Sequence, residues 1–399
     1  MTPPDKQACG AGKRGEICVV TTTPLIVNFF LRGILSALAS RYDVTLILNL
    51  DESHKPNLRG IDLRVIPVRI ERKISLFRDF AALARLVGIF MSHDFRVVHS
   101  VAPKAGLLAM IAAWIARVPT RIHTFQGEIW AARRGLMRLL LKSADRIVVR
   151  LATHLLVVSR SEQEFLIEQG ILAPERSRVL ASGSISGVDV ARFRADPEAR
   201  GRIRRDLGVS DTDVLFLFLG RIARDKGVLD LASAFAGVAT ELPHVRLLIV
   251  GPDEDGIQQQ IRARAGAALA KLRFSGITDT PEQVLAAADV ICLPSYREAF
   301  GMVILEAAAV GIPAVASRIY GITDALVEGE TGLLHEASNP RDLASQMKKL
   351  AENPGLRRAL GEAAHARVHR EFRSERVIGE LLRFYEDAMP GETRAPASP

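Results

Sequence analysis

Short apolar runs alternate with stretches of helical periodicity along most of the chain. Apolar runs of roughly four to eight residues between turn residues indicate buried strands, and the 3.6-residue pattern indicates helices. In the first half this pattern predicts strands at Glu16–Thr22, Asp43–Leu50, Leu63–Val68, Arg96–Val101, Thr120–Phe125 and His154–Ser159. The helices predicted between them include Leu76–Met91, Ala105–Ala116 and Gly135–Leu151. Strands that alternate with helices in this way predict parallel βαβ units.

A second series of the same kind begins at Asp213. It predicts a helix at Val228–Thr240 and strands at 214–220, 245–251, Leu272–Phe274, Val290–Leu293 and Ala314–Ala316. Residues 191–210 between the series are charged and contain Pro197 and Gly201, so we place a domain boundary there. Amphipathic helices are predicted from Pro340 to Met389.

Two doubly wound α/β domains therefore account for the pattern. We predict an N-terminal domain at residues 16–200 and a C-terminal domain at residues 201–370. A last helix at 371–389 is expected to pack back on the N-terminal domain. Residues 1–15 are predicted to be flexible and residues 390–399 to be disordered.

The composition agrees with two packed domains, since 399 residues exceed what one ordinary core organises and 48% of them are hydrophobic. The three cysteines, Cys9, Cys18 and Cys292, have no metal-ligand spacing. Cys18 and Cys292 fall in apolar strands and are expected to be buried, so the pattern favours a reducing cytoplasm. The N-terminal stretch resembles neither a signal peptide nor a membrane span.

Charge is distributed unevenly. The net charge is +8, but residues 1–205 carry +14 and residues 206–399 carry −6. The basic half could face a nucleic acid, an anionic bilayer or a substrate that bears pyrophosphate. There is no zinc-finger spacing and only 6% of residues are aromatic, so we do not expect nucleic acid binding.

The most informative segment is residues 294–317, PSYREAFGMVILEAAAVGIPAVAS. Glu298 follows an apolar strand, and Glu306 falls within an Ala-rich helical run that begins after Gly301. In an open α/β sheet, ligands bind at the carboxyl ends of the strands. A carboxylate accepts two hydrogen bonds in a fixed geometry, which suits the hydroxyls of a sugar or ribose. Two glutamates at this spacing, in this context, indicate a ligand site.

A second motif, LFLFLGRIARDKG, places Gly220, Arg221 and Lys226 between a strand and a helix. Glycine permits close backbone approach, and a helix N-terminus favours anions. Arg221 and Lys226 together can neutralise two phosphates. This motif predicts a phosphate site.

These segments, with LLIVGPDED and GETGLLHEASNPRDLA, resemble the motifs of retaining glycosyltransferase family 4 in content and order. TTTPLIVNFFLRGILSALA, HSVAPKAGLLAMIAA, RIHTFQGEIW and LASGSISGVDVARF resemble a branch of that family that builds capsular polysaccharide, O-antigen and related lipid-linked glycans. The resemblance covers roughly residues 16–385. It implies a GT-B fold, in which two Rossmann-like domains face each other across a cleft.

The resemblance implies roles in binding the nucleotide-sugar donor. Arg221 and Lys226 would hold the pyrophosphate, and Gly220 is a donor-binding candidate in the same motif. Arg221, Lys226 and Glu298 are the candidate catalytic residues. Glu298 would bind the sugar hydroxyls and Glu306 the ribose hydroxyls. The remaining donor-side candidates are backbone groups of Phe300 and Gly301 at the sugar and Gly276 and Ile277 near the base. UDP is the expected carrier and no essential metal is implied; Asp211 and Asp213 spell a DxD pair but precede their strand.

Four residues are candidates for the acceptor side: Lys104, His123, Gln126 and Glu128. Many relatives have a histidine before the glycine where this chain has Gln126 in TFQG, and glutamine cannot act as a base. His123, three residues earlier on a strand, has the pattern of a packed residue. Glu128 is either functional or an ordinary loop carboxylate, and Lys104 either meets an acceptor phosphate or is solvated.

The implied acceptor is a lipid-linked or polysaccharide glycan at the cytoplasmic face of the bacterial inner membrane. The apolar residues 76–80 and their basic neighbours form a candidate surface for an anionic bilayer, or an ordinary amphipathic helix. The cations of this surface are Arg69, Arg72, Lys73, Arg78 and Arg85. The expected location is cytoplasmic and peripheral to the membrane.

Two other classes of function remain open from the sequence. Rossmann-like domains also suit an NAD-dependent oxidoreductase, but TTTPLIVNFF stands where GxGxxG would follow the first strand. A non-catalytic scaffold that binds glycans or membranes would not need Arg221, Lys226, Glu298 and Glu306 together. The leading hypothesis is a retaining hexosyl- or N-acetylhexosaminyltransferase.

Overall fold

The computed structural model describes residues 15–50, 55–71 and 75–389. The predictions for residues 1–14 and 390–399 therefore lie outside the described residues, as do Cys9, Arg72 and Lys73. Both remaining cysteines, Cys18 and Cys292, are buried and free, as predicted.

The described strands are β1 Glu16–Val20, β2 Asp43–Leu48, β3 Arg64–Pro67, β4 Phe95–Val101, β5 Thr120–Phe125, β6 His154–Val157, β7 Ser177–Arg178, β8 Val214–Leu219, β9 Val245–Val250, β10 Leu272–Ser275, β11 Val290–Leu293, β12 Ala314–Ser317 and β13 Gly332–His335. The short strands β7 and β13 were not predicted. Strands β1, β2 and β6 each end two residues before their predicted ends. Ser159, predicted as strand, is instead the N-cap of a helix.

The described α-helices are α1 Pro24–Ile26, α2 Arg32–Ala39, α3 Leu76–Ser92, α4 Pro103–Ile115, α5 Gly135–Leu151, α6 Arg160–Glu168, α7 Pro197–Leu207, α8 Val228–Glu241, α9 Gln258–Ala265, α10 Pro281–Ala287, α11 Met302–Val310, α12 Ile322–Ala325, α13 Pro340–Glu352, α14 Pro354–Glu371 and α15 Ser374–Ala388. A π-helical turn at Val27–Leu31 joins α1 to α2. The predicted C-terminal helical region is divided in two places, before Pro354 and after Phe372.

The strands form two sheets. The first has the order β3-β2-β1-β4-β5-β6-β7, and the second has the order β10-β9-β8-β11-β12-β13. In the first sheet β1 pairs in parallel with β2 and β4, and β4 pairs in parallel with β5. In the second sheet every neighbouring pair is parallel. In each sheet the chain adds strands first on one side of a central strand, β1 or β8, and then on its other side. This is the doubly wound arrangement predicted from the sequence.

The second sheet is covered on both faces. Leu215 and Leu217 of β8 point into one buried cluster, and Phe216 and Phe218 point into another. Alternate residues of a strand face opposite sides of its sheet, so the continuous apolar run of β8 fills two cores.

Contacts group the chain into two compact units. One unit contains the described residues up to Phe125, the segment Lys142–Leu156 and the described residues from Ile378 onward. The other unit contains Gln126–Leu141 and Val157–Val377. These units do not coincide with the boundary expected near residue 200, because residues 157–200 group with the C-terminal series.

Helix α7 accounts for the last part of this segment. Pro197 was interpreted as part of a linker, but it occupies the first turn of α7, where the N-cap Asp196 accepts a hydrogen bond from the Ala199 N–H. The guanidinium of the buried Arg204 donates to the carbonyl oxygens of Ser210 at 2.6 Å and Asp213 at 2.7 Å. It also donates to Oδ2 of Asp289 at 2.9 Å. These bonds join α7 to the sheet of the second unit.

Candidate active site

The loop after β8 carries the first predicted cation. The Gly220 N–H donates to the Val250 carbonyl at 2.9 Å, and a Cβ on Gly251 would lie 1.9 Å from the Gly220 carbonyl oxygen. The position after β9 therefore requires glycine. Arg221 bonds to Glu254 at 2.7 Å and lies 3.5 Å from Asp225. Burial lowers the pKa of Arg221, but Glu254, Asp225 and Glu298 together raise it above its usual value.

Lys226 and Glu298, predicted from separate motifs, form an ion pair. The Lys226 Nζ lies 2.6 Å from Glu298 Oε1, and both side chains are about 15% exposed. The Ser295 hydroxyl donates to the same oxygen at 2.8 Å. The second unit thus places a cation and a carboxylate in contact beside β8 and β11, at the sheet edge where ligands bind in such folds.

Gly227 permits this contact. It has φ +64°, and a Cβ on it would lie 1.9 Å from the Pro294 carbonyl oxygen. The turn before α8 therefore lies directly against the chain that leaves β11. Because the obstructing atom belongs to the backbone, it cannot rotate away as a side chain would.

The second glutamate of the motif lies on α11, as predicted. Gly301, with φ +72°, is the N-cap and offers no side chain to the first turn of this helix. The Ile304 N–H donates to the Gly301 carbonyl at 2.9 Å, and the N–H groups before it have no acceptor within a regular α-helix. Those groups can donate to an anion or a hydroxyl. Glu306 is half-buried, and burial raises its pKa to about 7; Arg192 opposes this effect and Glu282 adds to it.

The other donor-side candidates lie in loops at the same edge. The Phe300 side chain is buried and its ring centroid lies 5.6 Å from that of Phe372, so only its backbone can contact a ligand. Gly276 and Ile277 follow β10, and Ile277 is 61% exposed. An exposed apolar side chain there provides a surface on which a planar base can stack.

The structure separates the acceptor-side candidates. In the first unit, His123 is buried, its Nδ1 lies 2.9 Å from the Ser100 hydroxyl, and burial lowers its pKa to about 3. A Cβ on Gly106 would lie 2.3 Å from the ring, so His123 is closely packed. Lys104 pairs with Asp79 at 2.5 Å. These contacts give both residues structural partners.

Gln126 and Glu128 group instead with the second unit. Gly127 lies between them with φ +80°, and a Cβ on it would lie 3.3 Å from Ala299 Cβ. The turn Gln126–Glu128 therefore packs against the loop that carries Glu298. Glu128 is buried, so it is not the solvated loop residue that the sequence allowed.

The sequence analysis missed Glu162. This residue is completely buried on α6, and its Oε1 accepts a hydrogen bond from the Gly127 N–H. The available signal was Ser-x-x-Glu at 159–162, which is typical of a helix capping box. The Ser159 hydroxyl does accept from the Glu162 N–H at 3.1 Å, but the carboxyl group bonds to another segment.

Searches of the described residues found no cluster of three or more His, Cys, Asp or Glu with metal-binding geometry. Within the same residues, no helix has both the length and the apolarity that a membrane span requires.

Two doubly wound sheets, with cations, carboxylates and a helix N-terminus at one edge of the second, are the features expected of a GT-B glycosyltransferase. Residues 199–367 match the family model of glycosyl transferases group 1, and residues 27–183 match that of the glycosyl transferase 4-like domain. The chain belongs to the group 4 glycosyltransferases, which excludes the oxidoreductase hypothesis.

Individual relatives agree with this assignment. The chain is 29% identical to the capsular polysaccharide biosynthesis glycosyltransferase CapM of Staphylococcus aureus, over 80% of this chain and 84% of that protein. It is 31% identical to the phosphatidyl-myo-inositol mannosyltransferase of Mycobacterium tuberculosis, over 81% and 82%. The structure of Anabaena Alr3699/HepE in complex with UDP and glucose superposes with a TM-score of 0.79 at 20% identity, covering 94% of this chain and 100% of that one.

We predict that Gly227→Ala destabilises the second unit, because a new Cβ would meet the Pro294 carbonyl at a positive φ. The free energy of unfolding should fall by more than about 1 kcal/mol, measured by urea titration. Gly237→Ala is the matched control, since Gly237 lies on α8 with no atom within 4 Å of an added Cβ. It should stabilise the helix by about 0.4–1 kcal/mol. Equal effects of the two substitutions would contradict the packing described for Gly227.

Proposed function

We propose that the protein is a retaining glycosyltransferase that moves a hexosyl or N-acetylhexosaminyl group from a UDP-sugar to a lipid-linked or polysaccharide glycan. The observation that carries the proposal is the contact of Lys226 with Glu298 beside Arg221 at the carboxyl edge of the second sheet. CapM and the mannosyltransferase support a cell-surface or lipid-borne acceptor, and HepE with UDP and glucose supports the donor.

In the proposed reaction the bond between the anomeric carbon and the diphosphate oxygen breaks while an acceptor hydroxyl attacks from the same face. The hydroxyl proton passes to the departing diphosphate, and the configuration at the anomeric carbon is retained. Arg221 and Lys226 stabilise the charge that develops on the diphosphate. Glu298 fixes the sugar through its hydroxyls, and Glu306 fixes the ribose. With two side-chain cations for the diphosphate, we propose that no metal is essential.

Lys226→Ala and Arg221→Ala should each slow transfer, because one preorganised cation is lost. The expected loss of transition-state stabilisation is about 2–4 kcal/mol for each variant. The measurement is product formation from a panel of nucleotide sugars on membranes that supply the acceptor. Arg224→Ala is the matched control, since Arg224 is an exposed cation of the same loop whose guanidinium bonds to Gln260. Wild-type rates in either test variant would refute the phosphate assignment, and transfer by none of the proteins would refute the proposed function.

The two glutamates should differ in nucleotide binding. Glu306→Gln should weaken the affinity for free UDP, because the ribose contact is lost, and Glu298→Gln should leave that affinity nearly intact while impairing transfer. Since the pKa of Glu306 is raised to about 7, the wild-type affinity should increase as the pH rises through 7 and the carboxylate ionises. Glu306→Gln should not show this increase. Calorimetric titration between pH 6 and about 8 tests both statements, and equal losses in the two variants would contradict the division of roles.

We also propose that the protein associates peripherally with an anionic membrane from the cytoplasmic side. Phe77 at the start of α3 is 92% exposed, and Leu76 and Phe80 beside it are also exposed. Of the basic neighbours, however, Arg69 and Arg78 both pair with Glu71, so part of the expected positive charge is neutralised.

Helix α5 offers a stronger surface that the sequence analysis did not assign. Its exposed apolar side chains include Leu136, which is 81% exposed, and Leu139 and Leu140. Residues 133–141, which all belong to the second unit, carry three Arg and no acidic residue. A helix with exposed leucines and surrounding cations can lie in the interface of an anionic bilayer.

Liposome flotation tests this surface. Replacing Arg133 and Arg134 by Ser should weaken binding to anionic vesicles by about 1 kcal/mol per charge at most, and high salt should reduce binding of the wild type. Replacing Arg341 and Arg358, two exposed cations of α13 and α14, is the matched control. Equal binding to neutral and anionic vesicles would refute the membrane proposal and leave the transferase assignment intact.

A further inference from the structure

The buried carboxyl group of Glu162 has no role in the reaction described so far. Glu162 lies in the first turn of α6, where its N–H is capped by Ser159. In a capping box the glutamate side chain would return to the backbone of its own helix. Here Oε1 instead accepts a hydrogen bond from Gly127, 35 residues away in sequence. A helix cap alone does not explain this contact.

Gly127 connects Glu162 to the proposed sugar site. The Arg297 Nη1 lies 3.5 Å from the Gly127 carbonyl oxygen, and its Nη2 lies 3.5 Å from Asp225, in the loop that carries Arg221 and Lys226. The backbone of Gly127 is thus bonded through its N–H to Glu162 and through its carbonyl to Arg297. Since Arg297 precedes Glu298, this arrangement joins the turn Gln126–Glu128 to the loop that carries the sugar-binding carboxylate.

Charged and polar groups surround Glu162 from several elements. Asp324 of α12 accepts the N–H groups of Arg160 and Ser161 at 3.1 Å each, so it is fixed at the N-terminus of α6. Burial raises the pKa of Glu162 to about 8; the Gly127 and Val158 N–H groups and Arg297 oppose this effect, and Asp324 adds to it.

The Tyr320 hydroxyl is affected by both Glu162 and Glu128. Burial first, and then Glu162 and Glu128, raise the pKa of the Tyr320 hydroxyl. A negative charge on Glu162 would therefore lie close to Asp324, with Arg297 as the cation near it. Attraction to an ionised Glu162 would compete with the contacts of Arg297 to Asp225 and Gly127.

On the basis of the proposed transferase function, we propose that Glu162 is a positioning residue whose neutral carboxyl group holds Gly127 and Arg297, and through them Glu298, in the arrangement that supports transfer. In this proposal Glu162 contacts neither substrate and acts only through Gly127 and Arg297. Ionisation of Glu162 at alkaline pH disturbs Arg297 and slows transfer.

The test compares Glu162→Gln and Glu162→Ala with the wild type across pH. The amide of Glu162→Gln remains neutral and can still accept from Gly127, so this variant should retain transfer and lack the loss of kcat expected of the wild type above pH 8. Glu162→Ala should lower kcat by about 10- to 100-fold, because the turn is no longer held. UDP affinity should be unchanged in both variants. Glu164→Gln, an exposed residue of the same helix, should behave as the wild type at every pH.

A stability measurement keeps this inference separate from the proposed function. Because the pKa of Glu162 is raised in the folded state, its contribution to stability is complete below the unfolded pKa near 4.5 and is lost as the pH rises through 8. Glu162→Gln should therefore unfold at a higher urea concentration than the wild type at pH 9, and at the same concentration at pH 4. An alkaline loss of kcat retained in Glu162→Gln, or equal stabilities at pH 9, would overturn the inference, whereas the absence of any transfer by the wild type would overturn only the function.

Discussion

The ion pair between the Lys226 ammonium and the Glu298 carboxylate joins the two loops on which the proposed site depends. At 2.6 Å, with both groups largely shielded from water, the pair costs desolvation that its Coulomb attraction and the Ser295 hydrogen bond offset. The pair also settles an electrostatic conflict. In the proposed site, a carboxylate that binds sugar hydroxyls would repel the diphosphate beside it, and Lys226 would compensate that charge while retaining further N–H donors for phosphate.

Much of the fold could be predicted because local sequence determines it. Strand β11 has the predicted bounds, and helix α11 contains Glu306 as predicted. The alternation of apolar runs and helical periods gave both doubly wound sheets, since a strand covered on two faces must be apolar throughout. The glycines at 220, 227 and 301 fall at positive φ, where the motifs required close approach or a helix start.

The remainder depends on contacts between segments distant in sequence. Arg204 appeared to be one cation in a charged linker, yet it is buried and bonded to two carbonyls and Asp289. Glu162 carried a local capping signal, and only the approach of Gly127 reveals its other partner. For His123 the local pattern was sufficient, because its place on a strand correctly suggested a packed residue. The structure adds the small neighbour, Gly106, that makes room for its ring.

The path of the chain constrains how the protein is made. Tyr385 donates or accepts a hydrogen bond with the buried His99 at 2.7 Å, and the Thr120 hydroxyl donates to the Ala388 carbonyl at 3.1 Å. The first unit is therefore completed by the last described helix, whereas every residue of the second unit precedes Ile378. During synthesis, the unit begun first lacks part of its core until the ribosome has passed α15. The unit encoded in the middle has all its residues earlier, so the order of folding can be opposite to the order of translation.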